Sequence, residues 1–131
     1  LPIEHIRSFD MDPECEPIAD MINENYVFKE WRFKAFTKDA NQLDYAEKPD
    51  IVINTSCEHF DSMDWFNNIP KGTLIALQSN NLEHDNEHTN SIIDLNEMSS
   101  KYSLTDIIYQ DVLNFKYVDK EFTRFLIIGN K

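Results

Sequence analysis

Glycine is almost missing from this chain: its 131 residues hold only Gly72 and Gly129. Neither a G-x-G-x-x-G dinucleotide fingerprint nor a P-loop can be written with those two, so both common glycine-built phosphate cradles are excluded within it. Basic residues are also scarce. Twelve Lys and Arg face twenty-four Asp and Glu, a formal charge of -12. Such a field disfavours a nucleic-acid backbone as partner unless a local basic patch overrides it, and it favours solubility. Two cysteines, Cys15 and Cys57, are too few and too unpatterned for a disulfide framework, which points to a reducing, cytoplasmic setting. No apolar run approaches the roughly 18 residues of a membrane helix, and the first residues carry no secretory pattern. No membrane partner is expected, and there is no internal repeat or low-complexity run.

What is present is a chain long enough for one domain, residues 1–131, with a real core. Apolar content is 41%, and nine Phe, five Tyr and two Trp allow an aromatic interior. The chain starts at Leu1, not Met, and enters a strand almost at once, so it is expected to be part of a longer product.

The stretch that organises the rest is PDIVINTSCEHF, Pro49 to Phe60. Ile51, Val52 and Ile53 read as a buried strand with Asn54 at its exit, and a polar cluster follows at once. In an open α/β sheet, ligands collect where loops leave the carboxyl ends of parallel strands. The same form recurs in HIRSFDMDP (His5 to Pro13) and GTLIALQSNN (Gly72 to Asn81). Three strands ending in small or acidic groups imply one shared crevice.

Between these strands the chain predicts an amphipathic helix from Glu14 to Asn25, with Cys15, Ile18, Ala19, Met21 and Ile22 on one face and Asp12 as its cap. Trp31 is expected to pack as an anchor at the sheet margin. An edge-like strand follows over Arg32 to Thr37, and a short helix over Asp61 to Asn68 turns Met63, Trp65, Phe66 and Ile69 inward. A mixed helical pattern spans Ile92 to Tyr102. Leu104 to Tyr109 and Arg124 to Ile128 read as a closing antiparallel pair turned at Val118 to Glu121. Alternating strands and helices followed by two strands specify an α/β class with a mostly parallel sheet and a C-terminal antiparallel strand.

Asp10, directly after a strand and before a helix, either accepts hydrogen bonds from a ribose or simply opens the helix. Asp39 either holds a purine amino group or is a solvated loop acid. His59 has the ordinary pKa for a general base, with Glu58 as a weaker candidate, and its alternative is a histidine satisfied at a strand-to-helix junction. Cys57 reads as a small buried residue, since nothing around it supports thiol chemistry. Asn80 and Asn81 either touch a substrate or cap and turn the chain. His84 and His88, among Glu83, Asp85 and Glu87, share a face only if helical. The surrounding residues favour a loop or a flap over the crevice, no H-E-x-x-H arrangement exists, and no metal is expected. A metal-dependent hydrolase using these histidines is the remotest alternative.

In order and spacing, these pieces resemble the class I S-adenosylmethionine-dependent methyltransferases over nearly the whole chain. SFDMDP resembles the segment in which an acid after the second strand binds the cofactor ribose, placing that role on Asp10. FTKDANQLDY resembles the next motif, with Asp39 and the Ala40 backbone flanking adenine. PDIVINTSCEHF resembles the fourth strand and its exit beside the transferred methyl, which brings in Asn54, Glu58 and His59. PKGTLIALQSNN resembles the next strand, and TDIIYQDV with TRFLIIGNK the closing hairpin. The family's glycine-rich first strand and loop are missing from the numbered chain, and NTSCEH does not match the asparagine-proline-proline motif of amino-methylating nucleic-acid enzymes. The resemblance implies a Rossmann-like, N-terminally incomplete methyltransferase domain. It implies S-adenosyl-L-methionine as cofactor, a small-molecule or protein acceptor, and a preceding segment or homo-oligomer partner to complete the sheet. The rival is a non-catalytic interaction domain that kept the fold and lost the loop.

Overall fold

The computed structural model describes residues 2–82 and 88–131. The chain divides into two compact units, Leu1–Asp44 and Tyr45–Lys131.

In the first unit, strand β1 (Ile6–Asp10) pairs in parallel with β2 (Phe33–Thr37), from Ile6 opposite Phe33 to Asp10 opposite Thr37. Helix α1 (Cys15–Ile22) and the single turn α2 (Glu24–Val27) form the crossover. Asp12 Oδ1 accepts from the Glu14 amide at 2.9 Å, so Asp12 caps the turn leading into α1 and Glu14 takes the N-cap position itself. Pro17 is the third residue of α1, where an amide would have no intrahelical acceptor, so its missing N–H costs nothing. Phe33 and Ala35 alternate inward from β2 and are buried with Leu43. Trp31 does not anchor the sheet margin. It is 60% exposed, and it and Glu30 both take positive φ (55° and 57°), which swings the ring outward while the Trp31 carbonyl accepts from Arg7.

Polar bonds do much of the work that a small core leaves undone. Glu16 Oε2 accepts from both the amide and the hydroxyl of Thr37 at 2.7 Å, and Asp20 Oδ1 accepts from the Ala35 amide at 2.9 Å. Lys34 bridges the two carboxylates, at 3.4 Å from Glu16 and in close contact with Asp20. Thus α1 is fastened to β2 by its acidic face.

In the second unit the sheet order is β3 (Ile51–Asn54), β4 (Leu74–Asn80), β6 (Glu121–Asn130), β5 (Asp106–Lys116). β3 and β4 are parallel, while β6 runs antiparallel to both neighbours. The sheet is therefore mixed, with one reversed strand among three of common direction. Ile75 and Leu77 of β4 and Phe125 and Ile127 of β6 alternate onto one face and are buried. Against them lie Trp65 and Phe66 of helix α3 (Asp64–Asn67), with Ile69, Ile92, and Met98 of α4 (Leu95–Lys101), all buried. Tyr102, fully buried, has its ring 5.3 Å from Phe66 and 5.9 Å from Trp65. β3 departs from the expected buried strand: Ile51 and Ile53 are 41% and 67% exposed, because β3 pairs only with β4 and stands at the sheet's edge.

Two predictions follow from this packing. The Thr37 bonds hold the Glu16 carboxyl below its ordinary range, and Lys34, then the Ala35 amide, do the same for Asp20. Folded-state values below the unfolded ones mean stability that is complete above the ordinary carboxylate range of about 4 and is lost as pH falls through the lowered values. Urea melts should show this acid loss, and Glu16→Gln with Asp20→Asn should flatten it. Equal slopes in the two proteins would show that these carboxylates do not drive it. At Gly129, a Cβ would stand 2.2 Å from the Asp106 carbonyl oxygen, across the β5–β6 pair. Gly129→Ala should cost about 1–3 kcal/mol by overpacking, measured by chemical denaturation.

Candidate functional site

Because β3 and β4 are parallel, their carboxyl ends share one edge of the second unit's sheet. The chain turns sharply there. Asn54 Oδ1 accepts from the Ser56 amide at 2.9 Å, and residues Cys57–His59 wind into a single 3-10 turn. That turn sends Cys57 and Glu58 inward, leaving His59 exposed.

Glu58 is 3% exposed, a burial a carboxylate tolerates only with partners. Its Oε1 accepts from Asn80 Nδ2 at 2.6 Å, a charge-assisted bond to the last residue of β4. Its Oε2 is buried and has no hydrogen-bond partner among the described residues. The backbone adds two stitches: the Asn90 amide donates to the Glu58 carbonyl at 3.0 Å, and the Ile92 amide to the Asn80 carbonyl at 2.9 Å. Asn80 Oδ1 also accepts from the Leu82 amide, and Asn81 Oδ1 from the Thr123 amide at 2.7 Å, so both asparagines shape the chain.

These bonds bring His88 to the 3-10 turn. One ligand atom each from Glu58, His59 and His88 lies within 4.8 Å of the others, and the two imidazole rings meet edge-on at 4.7 Å between centroids. His88 Nδ1 is 2.8 Å from the Leu82 carbonyl oxygen. A carbonyl only accepts, so Nδ1 carries the hydrogen in this bond. Neighbouring residues commonly diverge, yet here Glu58 and His59 converge. His84, weighed with His88 as a metal pair and set aside in favour of a loop or flap, lies outside the described residues, as do Glu83, Asp85 and Glu87.

Cys57 is fully enclosed. Its Sγ lies 3.6 Å from the Asn54 carbonyl, and burial pushes the thiol up to about 12. Burial also raises the Tyr102 phenol, with the Cys57 and Glu58 charges adding to it. Neither group ionises near neutral pH.

In the first unit, Asp10 is exposed at the end of β1, and its Oδ1 accepts from the Asp12 amide at 2.9 Å. A carboxylate has about four lone-pair sites, so this bond leaves capacity for a ligand's hydroxyls. Asp10 borders a groove of about 290 Å³ whose other walls include Cys15, Ile18, Ile22 and Phe36. Asp39 is more fully engaged: Oδ1 accepts from the Asn41 amide at 2.9 Å and Oδ2 from Gln42 Nε2 at 3.3 Å, capping the short 3-10 turn Ala40–Gln42.

The two thiols should separate by chemistry. Cys15 is only partly covered, its pKa raised first by desolvation and then by the Asp10 and Asp12 charges. A thiol reagent at mildly alkaline pH should modify Cys15 slowly and Cys57 only in denaturant. Two thiols reacting in the native protein would show that the Cys57 pocket opens.

No protein-family model and no curated protein sequence matches the chain. Solved structures do match in fold. The N-methyltransferase NodS from Bradyrhizobium japonicum WM9, in complex with S-adenosyl-L-homocysteine, superposes with a TM-score of 0.70 at 10% identity, over 95% of this chain and 66% of that one. Trm5 from Methanocaldococcus jannaschii, in complex with adenosine, gives 0.59 at 13% identity, over 97% of this chain and 37% of that one. The chain thus spans just under two thirds of that NodS chain and about a third of Trm5. What it shares with them is an α/β, Rossmann-like fold.

Proposed function

We propose that this chain is a single methyltransferase-like domain, residues 1–131, that serves S-adenosyl-L-methionine-dependent methyl transfer. The observation that carries the reading is the likeness in fold, across 95% of the chain, to a methyltransferase whose structure holds the demethylated cofactor. The residues at the strand exits fit such a cofactor. Asp10, exposed and with acceptor capacity to spare, takes the ribose hydroxyls. Ala40, in the turn that Asp39 caps, offers its backbone to the adenine, and Asp39 holds that turn in place. Asn54, at the exit of β3, is a separate candidate within the second unit, its Oδ1 accepting from the Ser56 amide.

When bound, the cofactor supplies a sulfonium-activated methyl group. The chain must then align an acceptor lone pair, exclude water, and take up the acceptor's proton. His59 suits the last task, being an imidazole exposed at the exit of β3. Glu58 is enclosed and bonded to Asn80, so its part is to position the turn that carries His59. A formal charge of -12 favours a small-molecule or protein acceptor over nucleic acid. No helix among the described residues is long and apolar enough to cross a membrane. Two free cysteines fit a cytoplasmic setting. A homo-oligomer partner fits β5, which exposes Ile107, Ile108, Val112 and Leu113 along the sheet's outer edge.

Isothermal titration of the complete gene product with S-adenosyl-L-methionine should show one site. Asp10→Asn keeps an oxygen for the Asp12 amide but removes the charge, and should weaken binding by roughly tenfold or more, since a hydrogen bond to a charged group is worth about 1.5–3 kcal/mol. A folded protein that binds no cofactor overturns the reading.

A further inference from the structure

We infer that Glu58, His59 and His88 form a binding site for a divalent first-row transition metal ion. The site does not rest on the methyl-transfer reading, and it lies wholly within the second unit.

The donor set is two imidazole nitrogens and one carboxylate oxygen, all within 4.8 Å of one another. Tetrahedral or octahedral coordination at metal–ligand distances near 2.1 Å needs donors about 3–3.5 Å apart, so small rotations of exposed His59 and half-buried His88 would close the set. Two features mark it as more than a chance cluster. Glu58 Oε2 is buried without a hydrogen-bond partner among the described residues, the costly state that an ion would relieve. In addition, two of the three residues of the set, Glu58 and His88, are held from behind. Asn80 Nδ2 holds Glu58 Oε1 at 2.6 Å, and the Leu82 carbonyl holds His88 Nδ1 at 2.8 Å, which assigns metal ligation to the other ring nitrogen, Nε2. Carbonyl and amide partners of this kind orient the ligands of metal centres.

Chemistry selects the ion. Two imidazoles and one carboxylate suit zinc, iron, cobalt or manganese, whereas magnesium and calcium prefer all-oxygen shells. Three protein ligands leave coordination positions open for a water or for an oxygen of a bound substrate. His59 can serve the ion or act as a base, but not both through one lone pair. A seated metal would therefore move proton uptake from the imidazole to whatever occupies the open position.

The full chain, stripped with a chelator, should bind one zinc ion per molecule by isothermal titration, with excess magnesium failing to compete. His59→Ala, His88→Ala and Glu58→Gln should each weaken zinc binding by on the order of 100-fold, at least as much as losing an outer-shell partner costs. Asn80→Ala should weaken it by about tenfold. His5→Ala, an exposed histidine in the first unit, should leave it unchanged. Glu58→Gln is nearly isosteric and keeps an acceptor for Asn80, so it guards against misfolding in the alanine variants, and melting curves in chelator check each protein. Absence of a stoichiometric zinc site, competition by magnesium, or unchanged affinity in the Glu58 and His59 variants would each overturn the assignment.

Discussion

The second unit is built around a carboxylate that the fold encloses. Glu58 comes from the turn after β3, yet its side chain reaches the end of β4, where Asn80 holds it. Removing a carboxylate from water is expensive unless its oxygens find donors. That bond therefore adds to the β3–β4 ladder in tying the two strand exits together. The backbone repeats the message, with Asn90 donating to Glu58 and Ile92 to Asn80. His88 lies at the same turn, two residues before the Asn90 amide that bonds the Glu58 carbonyl. Breaking the Glu58–Asn80 bond would loosen two strand ends and one imidazole together.

A neighbourhood of buried polar groups surrounds this bond. Ser79 Oγ and the Tyr102 hydroxyl, like Glu58 Oε2, lack hydrogen-bond partners of good geometry among the described residues. Native cores hold few such groups, and the ones they keep call for a cause. Ser79 sits beside Asn80 at the end of β4, and the charge of Glu58 is felt at both Cys57 and Tyr102. Polarity is concentrated at the carboxyl edge of the sheet, whereas Ile75, Leu77 and Ile127 pack without any polar atoms in their side chains. An α/β sheet places its chemistry at that edge, and here Glu58 Oε2 and Ser79 Oγ lie there, while Thr73 Oγ1, a buried group without a partner among the described residues, stands before the other end of β4.

Much of the fold was legible because strands and their exits carry a local signal. PDIVINTSCEHF marked both β3 and the turn that matters, and the change from helical period to two closing strands marked the β5–β6 hairpin. What the sequence hid was non-local. Ile51 and Ile53 look like core residues, but which face a strand covers depends on neighbours that its own residues do not encode. Trp31 looks like an anchor, and only the left-handed backbone at Glu30 and Trp31 turns it outward. Gly129 carries no local signal for its place, which is set by the Asp106 carbonyl pressed against it from the neighbouring strand. The site followed the same rule. Glu58 and His59 were visible as neighbours, but their convergence with His88 needs the Leu82 carbonyl and the Asn90 amide.

The histidines also show that contacts between residues distant in sequence are not written in their spacing. His84 and His88 are four residues apart, a spacing that attracts attention on a helix. Among the described residues the ring that meets His88 is His59, at the exit of β3 beside its parallel neighbour β4. A contact between distant residues is specified by every bond that shortens the path between them. Here those bonds are Asn80 to Glu58, Asn90 to Glu58 and Ile92 to Asn80, all ending on the one turn that follows β3. The same turn encloses Cys57 and exposes His59, so one short helical winding separates an inert thiol from an accessible imidazole. The chemistry open to this edge is therefore imidazole and carboxylate chemistry, set by the direction of successive side chains on a 3-10 turn.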